Sequence, residues 1–312
     1  MKIIFGIGGI KRPIVNCVLA IGVFDGVHRG HQALIARALA KAEKIGGKLY
    51  VMTFSPHPMS VLHPEENHKN IITLEHRLSL IARTGAAGCI VVPFTKRFAG
   101  LSPAHFVKNY LAGRIHPIDV FVGSDFRFGH DREGNLKLFS DLGKEYRINL
   151  DIVHCVESEH LKISSTSIRQ YVQDGELKKA AKLLGRNFSV LFKVSRGAGR
   201  GRKLGFPTIN FYPKGIVLPP FGVYATRTHV GENIFDSVTY VGIRPMFESK
   251  GRVGVETFIF DFEKMIYGKE VLVEFIKWIR PEKIFPSQEA FILQMDKDKM
   301  KARKILSALK SA

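Results

Sequence analysis

The run GVFDGVHRGHQALI (22–35) carries two histidines, His28 and His31, where a Gly-rich turn opens into an apolar-periodic helix. Three residues apart, they project from one face of the first turn. A helix start offers unsatisfied N–H groups and the positive end of the dipole, so the place favours an anion, above all a phosphate. The same residues also describe an N-cap loop with two solvated histidines, and the spacing alone does not choose. It does disfavour zinc at this pair, because HExxH is absent and no thiolate lies nearby in the chain. A second run, ISSTSIR (163–169), sets Ser164, Ser165 and Thr166 ahead of a helix with Arg169 one turn inside. Hydroxyls, N–H groups and a guanidinium on one point make either a phosphate site or an ordinary capped helix. TFSPHP (53–58) and GSDFRFGHDREG (123–134) place polar and aromatic residues just beyond apolar strands. There Phe126 and Phe128 either flank a planar ring or fill a core.

A different chemistry is written after residue 195. SRGAGRGRKLGFPTIN (195–210) interleaves glycines with Arg196, Arg200, Arg202 and Lys203, so backbone N–H groups and cations meet in one loop. It is a phosphate loop, an RG-type RNA contact or a turn; GxxxxGK[ST] is missing. Thr208 and Asn210 alternate on an extended strand, which puts a hydroxyl and an amide carbonyl on one face as oxygen ligands for magnesium. VETFIFDF (255–262) adds the carboxylate of Glu256 near the start of a β-pattern run.

The elements that must position these residues fall into two textures. From 14 to 184, apolar runs (14–24, 48–54, 88–94, 119–123, 148–155) alternate with helical periodicities (31–46, LEHRLSLIART, PAHFVKNYLAG). That alternation predicts a doubly wound parallel sheet with its ligands at the carboxyl ends of the strands. After Gly185, short strands follow one another between Gly and Pro, which predicts a small antiparallel barrel. A last helix is expected from Ser287, its N-cap, with Phe291, Met295, Leu306 and Leu309 on the apolar face. A length of 312 residues suits two domains, 1–185 and 186–312.

Composition narrows the classes. Lys and Arg number 47 against 28 Asp and Glu, a net +19, which attracts nucleic acid, anionic membrane or polyphosphate ligands. The cations are dispersed along the chain and no aromatic RNP-like cluster appears, so neither nucleic acid nor membrane is expected as a partner. No stretch is long and apolar enough for a transmembrane helix, and the N-terminus reads as the start of the fold. Cys17, Cys89 and Cys155 are odd in number and far apart, which points to a reducing, cytoplasmic setting. Self-association into a homo-oligomer is left open.

Taken in order, GVFDGVHRGHQALI, TFSPHP, GSDFRFGHDREG and SSTSIR resemble the FMN adenylyltransferase module of bacterial bifunctional FAD synthetases, within the HxGH nucleotidylyltransferase superfamily. GRGRKLGFPTIN, GVYA, VGIRP, VETFIFDF and IRPEKIFPS resemble the riboflavin kinase module of the same enzymes. The resemblance implies that Gly22, Phe24, Asp25, His28, His31, Ser164, Ser165, Thr166 and Arg169 bind the first ATP. Phe54, His57, Pro58, Asp125 and Phe128 then lie on the flavin side. In the second module it implies Gly199, Lys203, Gly205, Thr208 and Asn210 on ATP, with Thr208 and Asn210 holding Mg2+, Glu256 as catalytic base, and Arg280 on a mobile flavin-site loop. The substrates and products are riboflavin, FMN, FAD and ATP. The chain departs from the family pattern at Phe192, Tyr240, Met246 and Phe258.

Overall fold

The computed structural model describes residues 1–154, 163–195, 205–243 and 253–309. They form two compact units, one of 1–70 with 74–165 and one of 71–73 with 166–312.

The first unit is a six-stranded parallel sheet in the order β1-β4-β3-β2-β5-β6. Its strands are β1 (Lys2–Phe5), β2 (Cys17–Ile21), β3 (Lys48–Ser55), β4 (Gly88–Pro93), β5 (Pro117–Gly123) and β6 (Asn149–Val153). Every residue of β2 is buried, as its unbroken apolar run requires of a central strand covered on both faces. The chain winds outward from β2 through β3 and β4, then returns to β5 and β6 on the other side. A doubly wound sheet opens its ligand crevice at such a reversal, outside the carboxyl ends of the strands. The edge strand β1, too short to stand out in the sequence, was not foreseen.

Helix α1 (Arg29–Lys44) buries Leu34, Ile35, Ala38 and Ala42 at helical spacing. Helix α2 (Pro58–Leu62) follows β3, and α3 (Leu74–Ala82) precedes β4. The helix expected over PAHFVKNYLAG becomes a π-helix over Phe106–Ile115. Its buried Phe106, Val107, Leu111 and Ile115 follow the longer repeat of i→i+5 bonding. Helix α4 (Leu136–Glu145) leads into β6. Cys17 and Cys89 are core thiols whose pKa burial pushes up to about 12, so they stay protonated and inert.

The second unit curls one antiparallel sheet, β7-β12-β9-β10-β11-β8, into a half-barrel. The strands are β7 (Ser189–Lys193), β8 (Thr208–Phe211), β9 (Gly222–Val230), β10 (Asn233–Ile243), β11 (Val253–Ile259) and β12 (Glu270–Arg280). A single antiparallel bridge between Ser195 and Asn210 links its two edges. On one face, buried hydroxyls form a chain from Thr228 through Ser237, Thr226 and Thr239 to Thr257, each step 2.8 Å. The other face packs Ala225, Val238 and Phe258 with Ala302 and Leu306 of the C-terminal helix Gln288–Ala308. Ser287 caps that helix as expected, accepting the Ala290 N–H at 3.2 Å. Leu309, expected on its apolar face, is 51% exposed because the helix has ended one residue earlier.

Two helices, α5 (Ser165–Gln173) and α6 (Leu177–Leu184), precede β7. The sequence texture changes at 185, but the units divide between Ser165 and Thr166, so α6 groups with the half-barrel, where it packs on β12. Its buried face is Leu177, Ala180, Leu183 and Leu184. A fragment starting at 166 should therefore be more stable to urea than one starting at 186. The shorter one forgoes burial of three leucines, each worth about 1.5–3 kcal/mol. Equal urea midpoints for the two fragments would contradict this grouping.

Candidate active sites

In the first unit, β2 ends at Ile21 and the chain turns through Phe24 and Val27, both at positive φ (53° and 40°), before α1. Gly22 is needed there, since a Cβ would stand 3.0 Å from the Phe24 ring. Phe24 is fully buried and its ring meets the edge of His31 at 5.1 Å between centroids. It builds the loop from beneath. His28 is the N-cap of α1: its Nδ1 accepts the His31 backbone N–H at 3.3 Å. A neutral imidazole that accepts at Nδ1 carries its proton at Nε2. The rings of His28 and His31 stack at 3.5 Å. Burial first, then the charges of His28 and Arg77, lower the His31 pKa well below 6.5, so this ring is neutral at physiological pH.

Arg77 was not singled out in the sequence, yet it anchors this end of the sheet. Only 2% exposed, it donates from Nη1 to Thr53 Oγ1 at 3.1 Å and to the Phe54 carbonyl at 2.9 Å. Thr53 Oγ1 in turn donates to the Val23 carbonyl at 2.8 Å, tying the end of β3 to the loop after β2. Burial lowers the Arg77 pKa, and the Asp25 carboxylate opposes that shift. The signal was legible: within α3, residue 77 shares its face with Leu74 and Ile81.

His57 caps α2, its Nδ1 accepting the Met59 N–H at 3.1 Å, with Pro58 at the first helical position. Asp25 and His57 are brought together, along with His68. Ser165 joins the same loop, its hydroxyl donating to the Asp25 carbonyl at 3.0 Å across 140 residues of chain. Ser164 immediately precedes α5. Thr166 and Arg169 belong to the second unit, where Arg169 donates to the Thr166 hydroxyl at 3.3 Å. Asp125 is exposed after β5. The aromatic residues behave as core: Phe128 is 8% exposed, stacks on Phe126 at 5.4 Å and meets Phe139. Phe54 packs edge-on to Phe94 at 5.9 Å. Phe54 stays half-buried, whereas Phe128 is closed into the core.

In the second unit, strand register assembles the site. Asn210 of β8 lies opposite Glu256 of β11, which lies opposite Tyr240 of β10. Directly opposed residues share a face, so amide, carboxylate and phenol form one row. Thr208, two residues from Asn210, shares that face. Asn210 Nδ2 donates to the Thr208 carbonyl at 3.3 Å. Thr208 also lines a cleft of about 460 Å³ with Pro207, Ile259, Lys264 and Tyr267. Gly205 adopts a φ of +82°, a conformation glycine takes without strain. Gly199, Lys203 and Met246 lie outside the described residues.

The departures from the family pattern have local explanations. Phe258 packs in the core beneath the C-terminal helix, and Phe192 stacks on Phe211 at 4.3 Å. The Tyr240 hydroxyl donates to Glu282, and burial, then Glu282 and Glu256, raise its pKa. Arg280 ends β12 and is held by the buried Asp298: Nε donates to both carboxylate oxygens at 3.0 and 2.9 Å, and Nη2 to one at 2.8 Å. A guanidinium fixed by that fork is a rigid strand-end group, in contrast to the mobile loop position expected for it.

A parallel nucleotidylyltransferase-type sheet followed by a curled barrel with its own carboxylate defines the class: an enzyme of two nucleotide-handling modules. The comparisons give the family. Residues 11–167 match the FAD synthetase family model and residues 184–306 the riboflavin kinase model. The chain is 35% identical over 305 residues to the bifunctional riboflavin kinase/FMN adenylyltransferase of Bacillus subtilis, covering 96% of both chains. It is 33% identical over 314 residues to that of Escherichia coli K12, covering 100% of both. A solved Streptococcus pneumoniae chain described as a macrolide-efflux protein superposes with TM-score 0.82 at 30% identity, over 97% of this chain and 99% of that one. This chain belongs to the bifunctional FAD synthetase family. Among its described residues no helix is long and apolar enough to cross a membrane.

Two stability measurements follow. Because the folded state holds His31 neutral below its ordinary pKa of 6.5, its contribution is intact above that pH and is lost on acidification. The slope is up to about 1.4 kcal/mol per pH unit. In urea denaturation between about pH 7 and 5, His31→Gln should flatten this dependence, and an unchanged slope would refute it. Asp298→Ala should cost about 3–5 kcal/mol, since it strands the Arg280 guanidinium. A loss within experimental error would show that solvent already serves Arg280.

Proposed function

We infer that this protein makes FAD in two ATP-dependent steps, phosphorylating riboflavin to FMN and then adenylylating FMN with release of pyrophosphate. The observation that carries this is the pairing of the two family matches with a different residue set in each unit. The two nucleophiles differ, and so do the groups that would serve them.

In the half-barrel the nucleophile is the neutral 5′-hydroxyl of riboflavin, which attacks the γ-phosphorus of ATP and displaces ADP. Glu256, in the row Asn210–Glu256–Tyr240, accepts the hydroxyl proton as that bond forms. Thr208 and Asn210 supply hydroxyl and carbonyl oxygens, the donor set that suits Mg2+. Bound there, Mg2+ would neutralise phosphate charge.

In the parallel-sheet unit the nucleophile is the FMN phosphate, already an anion, which attacks the α-phosphorus of ATP and displaces pyrophosphate. No base is required; alignment and charge neutralisation are. His28 donates from Nε2 and His31 stacks behind it as a neutral ring, both at the start of α1, where the dipole favours phosphate. Ser164, Ser165, Thr166 and Arg169 would add donors to the triphosphate, and His57, Pro58 and Asp125 would line the flavin side. The catalytic modules proposed from sequence are 1–185 and 186–312. The dispersed positive charge serves these phosphate ligands, in a cytoplasmic protein that needs neither nucleic acid nor membrane.

Separate initial rates of FMN formation from riboflavin and of FAD formation from FMN test this reading. Glu256→Gln should slow the first by about 10²–10⁴-fold and leave the second nearly unchanged. His28→Ala with His31→Ala should do the reverse and stop the pathway at FMN. Equal loss of both rates in a folded Glu256→Gln variant would overturn the two-site assignment.

A further inference from the structure

We propose that Asp25, His57 and His68 form a binding site for a divalent transition-metal ion of the Mn2+, Co2+ or Zn2+ class. Among the described residues this is the one group of three metal-ligating side chains that converge, with one ligand atom of each lying within 4.8 Å of the others. The three come from separate places: the turn after β2, the N-cap of α2 and the segment beyond it. Asp25 is 1% exposed and His57 9%, so the ligands are held by the fold and largely dry. The His57 and His68 rings stack at 3.9 Å, inclined by 26°, which sets a nitrogen of each beside the carboxylate.

The donor set decides the class of ion. Two imidazoles and a carboxylate suit borderline cations, whereas Mg2+ prefers oxygen ligands throughout. Three protein ligands leave coordination positions for water or a phosphate oxygen, as in catalytic and not structural sites. Two features moderate the affinity. His57 Nδ1 accepts the Met59 N–H at 3.1 Å, so its neutral ring carries the proton on Nε2 and must give it up there to bind a cation. Binding at Nε2 moves that proton to Nδ1 and breaks the helix cap, a cost of roughly tenfold in affinity. The Arg77 guanidinium, whose charge is felt by Asp25, opposes the cation as well. The result is an exchangeable site, weaker than a closed zinc centre.

Its use rests on the function proposed above. The family resemblance puts Asp25 on the ATP side and the proposed function puts His57 on the flavin side, so a cation between them meets the phosphates that react. The site itself does not depend on that reading, and the two are tested apart.

The full chain, free of nucleotide, is titrated with Co2+ and followed by its visible d–d absorption. One equivalent should bind with a dissociation constant on the order of 10 µM and be displaced by Zn2+ but not by tenfold Mg2+. His57→Gln and His68→Gln should each weaken binding at least about tenfold, with far-UV circular dichroism unchanged. Should a variant misfold, Mn2+ added to the unaltered protein must selectively broaden the His57 and His68 ring resonances. Absence of saturable absorption, binding indifferent to both substitutions, displacement by Mg2+, or no selective broadening would overturn the site. FAD formation from FMN in Mg2+ on the same sample reports separately on the proposed function. Activity without Co2+ binding removes only the metal site, and Co2+ binding without activity removes only the function.

Discussion

A buried positive charge organises the nucleotide end of the parallel sheet. Leaving a guanidinium in the protein interior costs several kcal/mol unless hydrogen bonds and an opposing charge offset it. Arg77 obtains both, from Thr53 Oγ1, the Phe54 carbonyl and the Asp25 carboxylate. Those partners lie at the end of β3 and in the loop after β2, so satisfying Arg77 fixes one relative to the other. The Thr53 bond to the Val23 carbonyl closes the link. The same charge helps to hold His31 neutral. A neutral, half-buried His31 stacked on His28, whose Nδ1 takes the His31 N–H, holds both rings in fixed orientation, which is preorganisation of the kind phosphate transfer rewards.

The half-barrel reaches the same end by register. The ladder between β8 and β11 places Glu256 beside Asn210, and a slip of one residue in β8 would turn Asn210 to the other face. The buried hydroxyl chain from Thr228 to Thr257 lies on the opposite face of these strands and satisfies each of its members. Such a chain is costly if broken, so it resists slippage. Asp298 and the Lys301 contact with the Ile279 carbonyl fasten the C-terminal helix to the end of β12.

The two candidate sites thus rest on unlike supports. One is a sheet end rich in histidine and hydroxyl groups around a buried cation, which the proposed function pairs with the anionic nucleophile. The other is a carboxylate in a strand row with oxygen donors beside it, which it pairs with the neutral one. Tyr240 adds a phenol to that row and reaches Glu282, a contact an asparagine there would be too short to make in the same way.

Much of this was legible in the sequence because the signals are local. Unbroken apolar runs specify buried parallel strands, Ser287 announces a helix, and His28 and His31 mark a helix start, all decided by neighbours within a turn or two. The alternation of Thr208 and Asn210 likewise follows from the pleat. What depends on distant partners had to come from the tertiary structure. The packing of Phe128 against Phe126 and Phe139, the fastening of Arg280 by Asp298, the bond from Ser165 to the Asp25 carbonyl and the grouping of α6 with β12 are of this kind. So is the convergence of Asp25, His57 and His68. A residue's type states what it can bind, but only the folded chain determines whether that capacity is used on a ligand or on another part of the protein.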